Sequence, residues 1–315
     1  MSEPNFFMLG VPKAGTTSLY HYLRQHPQVY MSPVKEPAFF AAEDLDSGRY
    51  YVRPMVVRDR RALEPFLSRA VPADAMPLVL DWDAYLELFR GARDQPAIGE
   101  ASVGYYFHLP SVARSINARV PDARLIVVLR DVADRLFRIY SGGQWRNVNL
   151  TFRGWLESAL DGGDAYAHLR GAIEVGRYAS HLQRWLDVFP RGQLKIVLFE
   201  DYRANAAAVV ADIFAFLGVA PGAAIDTSRR HNEALAPRVS WLRSGRGGTL
   251  NTAAGLALSR LPPALRQVLG ALYYRRLPDV AMDPADRRLV IDHYRDEIVR
   301  TAELIGRDLS AWLRV

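Results

Sequence analysis

Apolar residues fall along this chain in two alternating rhythms. Short uninterrupted runs at Phe6–Val11, Val29–Met31, Ala97–Gly99, Arg124–Leu129 and Leu194–Phe199 read as strands buried on both faces. Between them, apolar residues recur at the three- and four-residue spacing of a helix face. Those segments predict helices over Thr17–Gln25, Trp82–Arg90, Leu109–Asn117, Asp134–Ser141, Phe152–Leu160, Tyr178–Phe189 and Ala206–Leu217. A last long helix, Pro284–Ile305, opens at Asp283-Pro284 and stops at Gly306, the usual punctuation of a helix start and end. Strands alternating with helices predict the α/β class, with a central, mainly parallel sheet flanked by helices in three layers. Ligands on such sheets sit at the carboxyl ends of the strands. The loop at Val11–Thr17 and the residue after Leu129 both belong there.

No internal repeat or low-complexity tract divides the 315 residues, and one domain over 1–315 is expected. Ser244-Gly245-Arg246-Gly247-Gly248 is linker-like and leads into the Leu/Ala-rich stretch Leu250–Tyr274, broken at Pro262-Pro263. Two short packed helices are the plain expectation for that stretch. A helical lid at about 245–276, or a membrane-surface element, is the sharper one, because Arg260, Arg266, Arg275 and Arg276 flank apolar faces.

Composition narrows the partners. Half the residues are hydrophobic, 23% are charged and the net charge is +6, a soluble-globular balance that suits an anionic ligand. No Lys/Arg block or aromatic-basic array points to nucleic acid, and none is expected as a partner. The absence of cysteine removes disulfides, thiolate metal sites and cysteine nucleophiles. The sequence offers no leader-like start and no apolar run of membrane-spanning length, so a cytoplasmic enzyme is expected. The oligomeric state is not legible.

The most informative stretch is Gly10-Val11-Pro12-Lys13-Ala14-Gly15-Thr16-Thr17-Ser18, directly after the first strand. It nearly matches the nucleoside-triphosphate P-loop, G-x-x-x-x-G-K-[ST], and makes the expected fold P-loop-like. Gly10 and Gly15 keep the spacing, but Thr16 stands where the P-loop lysine belongs, and the lysine is displaced to Lys13. A helix N-terminus offers free N–H groups and a favourable dipole to an anion. Gly15 permits close backbone approach, three hydroxyls follow it, and Lys13 adds a mobile charge. Pro12-Lys13-Ala14-Gly15-Thr16-Thr17-Ser18 resembles the P-K-x-G-T-[TS]-x loop of sulfotransferases that use 3′-phosphoadenosine 5′-phosphosulfate (PAPS), most closely the carbohydrate and heparan-sulfate-sulfotransferase-like bacterial branch. The resemblance implies PAPS as donor, with Lys13, Ala14, Gly15, Thr16, Thr17 and Ser18 on its 5′-phosphosulfate.

A second anion site is expected where the strand Arg124–Leu129 ends in Arg130-Asp131. The alternative for Arg130 is a structural salt bridge with Asp131 or Asp134. Arg130 through Tyr140 resembles the family's 3′-phosphate motif, R-[DN]-P-x-x-R-x-x-S-x-[YF]. Val132 replaces the proline and Arg138 replaces the serine. The resemblance implies that Arg130 binds the 3′-phosphate together with Arg138 or Ser141, which lies on nearly the same helix face. Arg229 and Arg230 match a nucleotide-closing loop only loosely.

Glu36, in Lys35-Glu36-Pro37-Ala38-Phe39-Phe40, resembles the E-x-x-F-F position of the catalytic base in the heparan-type branch. Glu100 is the next candidate, in a segment whose family form reads E-K-[ST]-x-x-Y and which here has Ala101 for the lysine. His21 and His108 are weaker ones. The resemblance implies metal-independent, in-line sulfuryl transfer to a hydroxyl, less readily an amine, of a small-molecule or glycan acceptor. Trp82, Tyr85, Trp145 and Tyr166 are acceptor contacts or core aromatics. Two readings stay beside this one: a P-loop-type nucleotide kinase, and a catalytically silent nucleotide-binding protein of the same fold.

Overall fold

A computed structural model describes residues 2–42, 55–68, 77–107, 111–142, 150–160, 167–228, 235–237, 265, 274–276 and 281–315. Its centre is a five-stranded sheet in the order β2-β5-β1-β6-β7, formed by β1 (Phe6–Gly10), β2 (Val29–Met31), β5 (Ala97–Ala101), β6 (Arg124–Leu129) and β7 (Leu194–Leu198). Every pairing in it is parallel. All five predicted strands are present. The central pair explains why they are so apolar: Phe6, Phe7, Met8 and Leu9 of β1 and Leu125 through Leu129 of β6 are fully buried, so neither face can carry a polar side chain.

Helices flank the sheet. α1 (Thr16–Leu23) packs on α10 (Ala206–Leu217), while α5 (Val132–Ser141) and α8 (Tyr178–Leu186) both pack on α11 (Pro284–Ile305). α11 buries Val290, Ile291, Tyr294 and Ile298, the stripe its spacing predicts. Its ends match the sequence reading. Asp283 accepts from the Ala285 N–H at 2.7 Å, and Gly306 takes a left-handed φ of 65°. α5 begins two residues earlier than predicted because the Asp131 carboxylate accepts from the N–H groups of Ala133 and Asp134, making Asp131 the N-cap. The remaining helices are α2 (Arg60–Leu67), α3 (Trp82–Glu87), α4 (Ser111–Arg119), α6 (Phe152–Leu160), α7 (Ala167–Glu174) and α9 (Phe199–Ala204).

The segment least legible in the sequence builds a two-stranded parallel sheet from β3 (Met55–Val57) and β4 (Pro77–Val79). The Val79 N–H reaches the Pro37 carbonyl at 3.1 Å and ties this small sheet to the turn that carries Glu36. β8 (Leu235–Pro237) and β9 (Tyr274–Arg276) pair antiparallel. Most of the expected lid at 245–276 lies outside the described residues, as do His108, Trp145, Tyr166, Arg229 and Arg230.

The sheet order places the site. The chain leaves β1 for β2 and β5 on one side, then crosses β1 to β6 and β7 on the other. The carboxyl ends of β1, β5 and β6 therefore border a topological switch point, where a crevice opens in such sheets.

Candidate active site

Three chain segments meet at that switch point, and the backbone marks two of them. Among the described residues the non-glycine positions with positive φ are Lys13 (68°), Glu36 (63°) and Ala38 (53°). A left-handed conformation costs an L-residue about 1–2 kcal/mol, and such strain persists where the surroundings impose it, chiefly at functional sites. Two of the three are the residues expected to be catalytic, in loops 20-odd residues apart that share only their place at the strand ends.

The first segment is the β1–α1 loop. Gly15 takes φ 82° as the N-cap of α1. A Cβ there would meet Tyr202 Cε1 at 3.0 Å and Phe199 Cε2 at 3.1 Å, so both the backbone and the space require glycine. Five other helices use an acidic or amide cap, with Asp59, Asp81, Asp131, Asn205 and Asp283 each accepting a first-turn N–H, whereas α8 and α9 start without one. α1 has no side-chain cap and no acidic residue in its first turn. With no side chain closing it, that helix end suits an anion. Thr16 and Ser18 are buried in that turn and Thr17 is half-buried.

Lys13 is largely buried beside the end of α5. A Cβ placed on Gly142 would lie 3.8 Å from Lys13 Nζ, where helix carbonyls favour a cation. Burial, and then the charges of Arg138 and Lys35, hold its pKa below the ordinary 10.5. A site that disfavours its own cation in the absence of ligand is matched to a ligand that brings negative charge.

The second segment is the end of β6. Arg130 does not form the salt bridge offered as its alternative. Asp131 and Asp134 are taken by Arg287 of α11, at 2.5 and 2.8 Å. The Arg130 guanidinium instead donates through Nη1 to the Lys13 carbonyl at 2.9 Å and lies over the Phe199 ring at 4.6 Å. Its Nε is buried without a hydrogen-bond partner, an orphan donor beside the unpartnered Oε2 of Glu200. Arg130 thus joins the two anion motifs directly. Arg138 and Ser141 follow on α5, both half-buried. The charges of Lys13 and Arg130 both feel Arg138, which puts it within electrostatic reach of each.

The third segment runs from β2 along β5. The Glu36 N–H donates to the Ala101 carbonyl at 2.9 Å. Its Oε2 accepts the Val103 N–H at 2.8 Å, and its Oε1 is ion-paired with Lys35. Glu36 is 8% exposed, so its carboxylate is nearly enclosed.

Glu100 is placed differently. β5 extends to Ala101, two residues beyond its predicted end, and this carries Glu100 inside the sheet at 0% exposure. Its carboxyl accepts the hydroxyls of Tyr85 (3.1 Å), Tyr105 (2.8 Å) and Ser102 (2.7 Å), while Ser102 Oγ accepts the Ala38 N–H at 3.1 Å. Glu100 therefore braces the turn that holds Glu36. Burial raises its pKa from the usual 4.5 to about 7, against the three hydroxyl bonds, with the Glu36 charge raising it further. The folded state then binds this proton more tightly than the unfolded chain. Its contribution to stability is full below about pH 4.5, falls as pH rises towards 7 and is flat above, a change on the order of 3 kcal/mol. Glu100→Gln is expected to remove that decline. Denaturant unfolding of both proteins between pH 4.5 and 8 checks it: the wild type minus variant difference must become less favourable with rising pH.

Of the aromatic candidates among the described residues, Tyr85 is core: it is fully buried and stacks on both Phe39 (4.7 Å) and Trp82 (5.3 Å), while Trp82 is partly buried with Arg119 over its ring at 4.3 Å. His21 packs edge-on against Tyr20. Among the described residues no group of three or more His, Asp or Glu side chains could hold a metal ion, and no helix is long and apolar enough to cross a membrane. Sequence reasoning missed Arg287 and Lys35. Arg287 reaches Asp131 from 156 positions away, with no local signal, whereas Lys35 shows itself only by adjoining Glu36.

Known proteins resemble the chain along most of its length. The chain is 26% identical over 99% of its length to human bifunctional heparan sulfate N-deacetylase/N-sulfotransferase 2, of which it spans 31%. It is 28% identical, over 69% of its length, to human carbohydrate sulfotransferase 15, of which the match spans 44%. The chain thus spans less than half the length of these curated relatives. The crystal structure of a sulfotransferase from Alicyclobacillus acidocaldarius matches over 100% of both chains, with 30% identity and a TM-score of 0.67. The sulfotransferase family model runs through residues 4–221, which takes in the β1–α1 loop, the Glu36 turn and the end of β6, and on that match the chain belongs to the sulfotransferase family.

Proposed function

We propose that this site moves a sulfuryl group from PAPS to a hydroxyl, less readily an amine, of a small-molecule or glycan acceptor. The observation that carries the reading is the pair of strained residues, Lys13 and Glu36, held after the carboxyl ends of β1 and β2, one on each side of β5, with a helix N-terminus that has no side-chain cap. The residues fit the donor. The first turn of α1, entered through the left-handed Gly15, suits the 5′-phosphosulfate, and the orphan Nε of Arg130 with Arg138 or Ser141 suits the 3′-phosphate. When bound, the donor supplies an activated sulfur and a phosphate leaving group.

The chain's own residues do the rest. Glu36, fixed through Oε2 by the Val103 N–H, takes the proton from the attacking acceptor. Lys13 and the N–H groups of α1 meet the charge that grows on the leaving phosphate oxygen, the part a metal clamp plays in phosphoryl transfer. Arg130 fixes the Lys13 backbone through its carbonyl, so 3′-phosphate recognition and the catalytic lysine are mechanically linked. The donor and catalytic geometry leave the acceptor open, and the names of the relatives make glycans the first class to try. A cytoplasmic location, from the cysteine-free composition, is part of the same proposal.

The test is transfer of labelled sulfuryl from PAPS to a panel of N-deacetylated and O-unsubstituted glycans, phenols and aliphatic alcohols, with and without EDTA. Label in one acceptor class, undiminished by EDTA, is expected. Release of neither label nor 3′,5′-ADP with any acceptor would leave the silent nucleotide-binding reading standing.

A further inference from the structure

Among the described residues, the cation inventory of the crevice contains one member that the proposed mechanism does not use. Lys13 comes from the end of β1, and Arg130 and Arg138 follow β6. The end of β5, Ala101-Ser102-Val103, brings no charge, and the end of β2 brings Lys35. The Lys35 side chain is 22% exposed and its ammonium is ion-paired with Glu36 Oε1, yet its charge also reaches Lys13.

The two oxygens of Glu36 are thus not equivalent. Oε2 is fixed by the Val103 N–H and sets the direction of the carboxylate. Oε1 is the oxygen left to take a proton, and Lys35 sits on it. An ammonium held there competes with the incoming acceptor hydroxyl for the same lone pairs. An ammonium repelled by Lys13 and released from Glu36 has one strong alternative, the anionic oxygens of a group lodged on the Lys13 loop.

We propose that Lys35 is a second cation of the transfer site that exchanges partners, resting on Glu36 without donor and moving to the sulfuryl oxygens when the donor is bound. The inference rests on the PAPS reading above. Its step balances simply. The acceptor oxygen forms a bond to sulfur as the bond from sulfur to the 5′-phosphate oxygen breaks. The acceptor proton passes to the vacated Glu36 Oε1, and the leaving electron pair stays on the phosphate oxygen beside Lys13. The exchange leaves Oε1 covered in the empty enzyme and open only when a sulfuryl group is present to draw Lys35 away.

The probes are PAPS and 3′,5′-ADP, which differ by the sulfuryl group alone, titrated calorimetrically without acceptor into wild type, Lys35→Ala and Lys35→Arg. Lys35→Ala is expected to bind 3′,5′-ADP within about twofold of wild type and PAPS about tenfold more weakly, one charge-assisted contact. Its kcat is expected to fall by about tenfold or more, with Lys35→Arg restoring part of both losses. Equal weakening of the two nucleotides in Lys35→Ala would make Lys35 a general electrostatic residue and overturn the exchange. So would unchanged binding of both with unchanged kcat. Wild type that binds neither nucleotide would instead overturn the donor reading, and this inference with it.

Discussion

Lys13→Ala is expected to lower kcat by about 10²–10³ while leaving the protein as stable as wild type or slightly more so. The rate effect follows from the role. The lysine faces the charge that develops on the leaving oxygen, and loss of one such preorganised group costs about that factor. The stability effect follows from the structure. Lys13 is buried next to Arg138 and Lys35, and burial and both charges disfavour its cation. Removing it relieves a repulsion that the empty site gains nothing from, the usual trade between activity and stability at a functional residue. The backbone strain at φ 68° stays in the alanine variant, so Lys13→Gly should be more stable still, by about 0.5–1 kcal/mol. The depressed pKa adds a pH signature. The alkaline limb of kcat/KM, which reports the free enzyme, should fall below the ordinary lysine value of 10.5. Thermal unfolding beside single-turnover transfer checks both halves, and a variant with near-normal transfer would remove Lys13 from the mechanism.

Glu36→Gln is expected to lower kcat by about 10²–10⁴, the usual worth of a positioned general base, with affinity for 3′,5′-ADP unchanged. The glutamine carbonyl can keep the Val103 N–H bond that orients the side chain, so the loss isolates proton transfer from placement. Its amide would face Lys35 with a donor where the carboxylate offered an acceptor, and that local mismatch affects a partly exposed lysine rather than the core. The comparison with Glu100 sharpens the test. Glu100 is enclosed by the hydroxyls of Tyr85, Tyr105 and Ser102 at 0% exposure and has no path to an acceptor. A Glu36→Gln enzyme that transferred at the wild-type rate would break the assignment.

Much of this was legible before any coordinates, for particular physical reasons. A strand buried on both faces must be apolar throughout, so Phe6–Leu9 and Leu125–Leu129 announced the centre of the sheet. The N-cap and C-cap residues Asp283 and Gly306 bounded α11 because only certain residues satisfy helix ends. The uncapped start of α1 was implied by Gly15 followed by three hydroxyl residues with no acid. What stayed hidden depends on distant partners. β3 and β4 are three residues each, too short to show a period. The occupation of Asp131 and Asp134 by Arg287 joins α5 to a helix more than 150 positions later and could not be read locally. The inward placement of Glu100 turned on two extra residues of β5. The contact of Lys35 with Glu36 depends on the left-handed turn at Glu36, which no residue type there demands.

The central claim is that two linked anion sites select a nucleotide phosphorylated at both its 3′ and 5′ ends. The most direct test is calorimetric comparison of 3′,5′-ADP with 5′-ADP and ATP, on wild type and on Arg130→Ala. Wild type is expected to bind 3′,5′-ADP at least about 100-fold more tightly than the other two, the worth of two charge-assisted contacts. Arg130→Ala should shrink that preference to a few-fold. Equal affinity for the three nucleotides, or tightest binding of ATP, would contradict the account and return the site to the kinase-like reading.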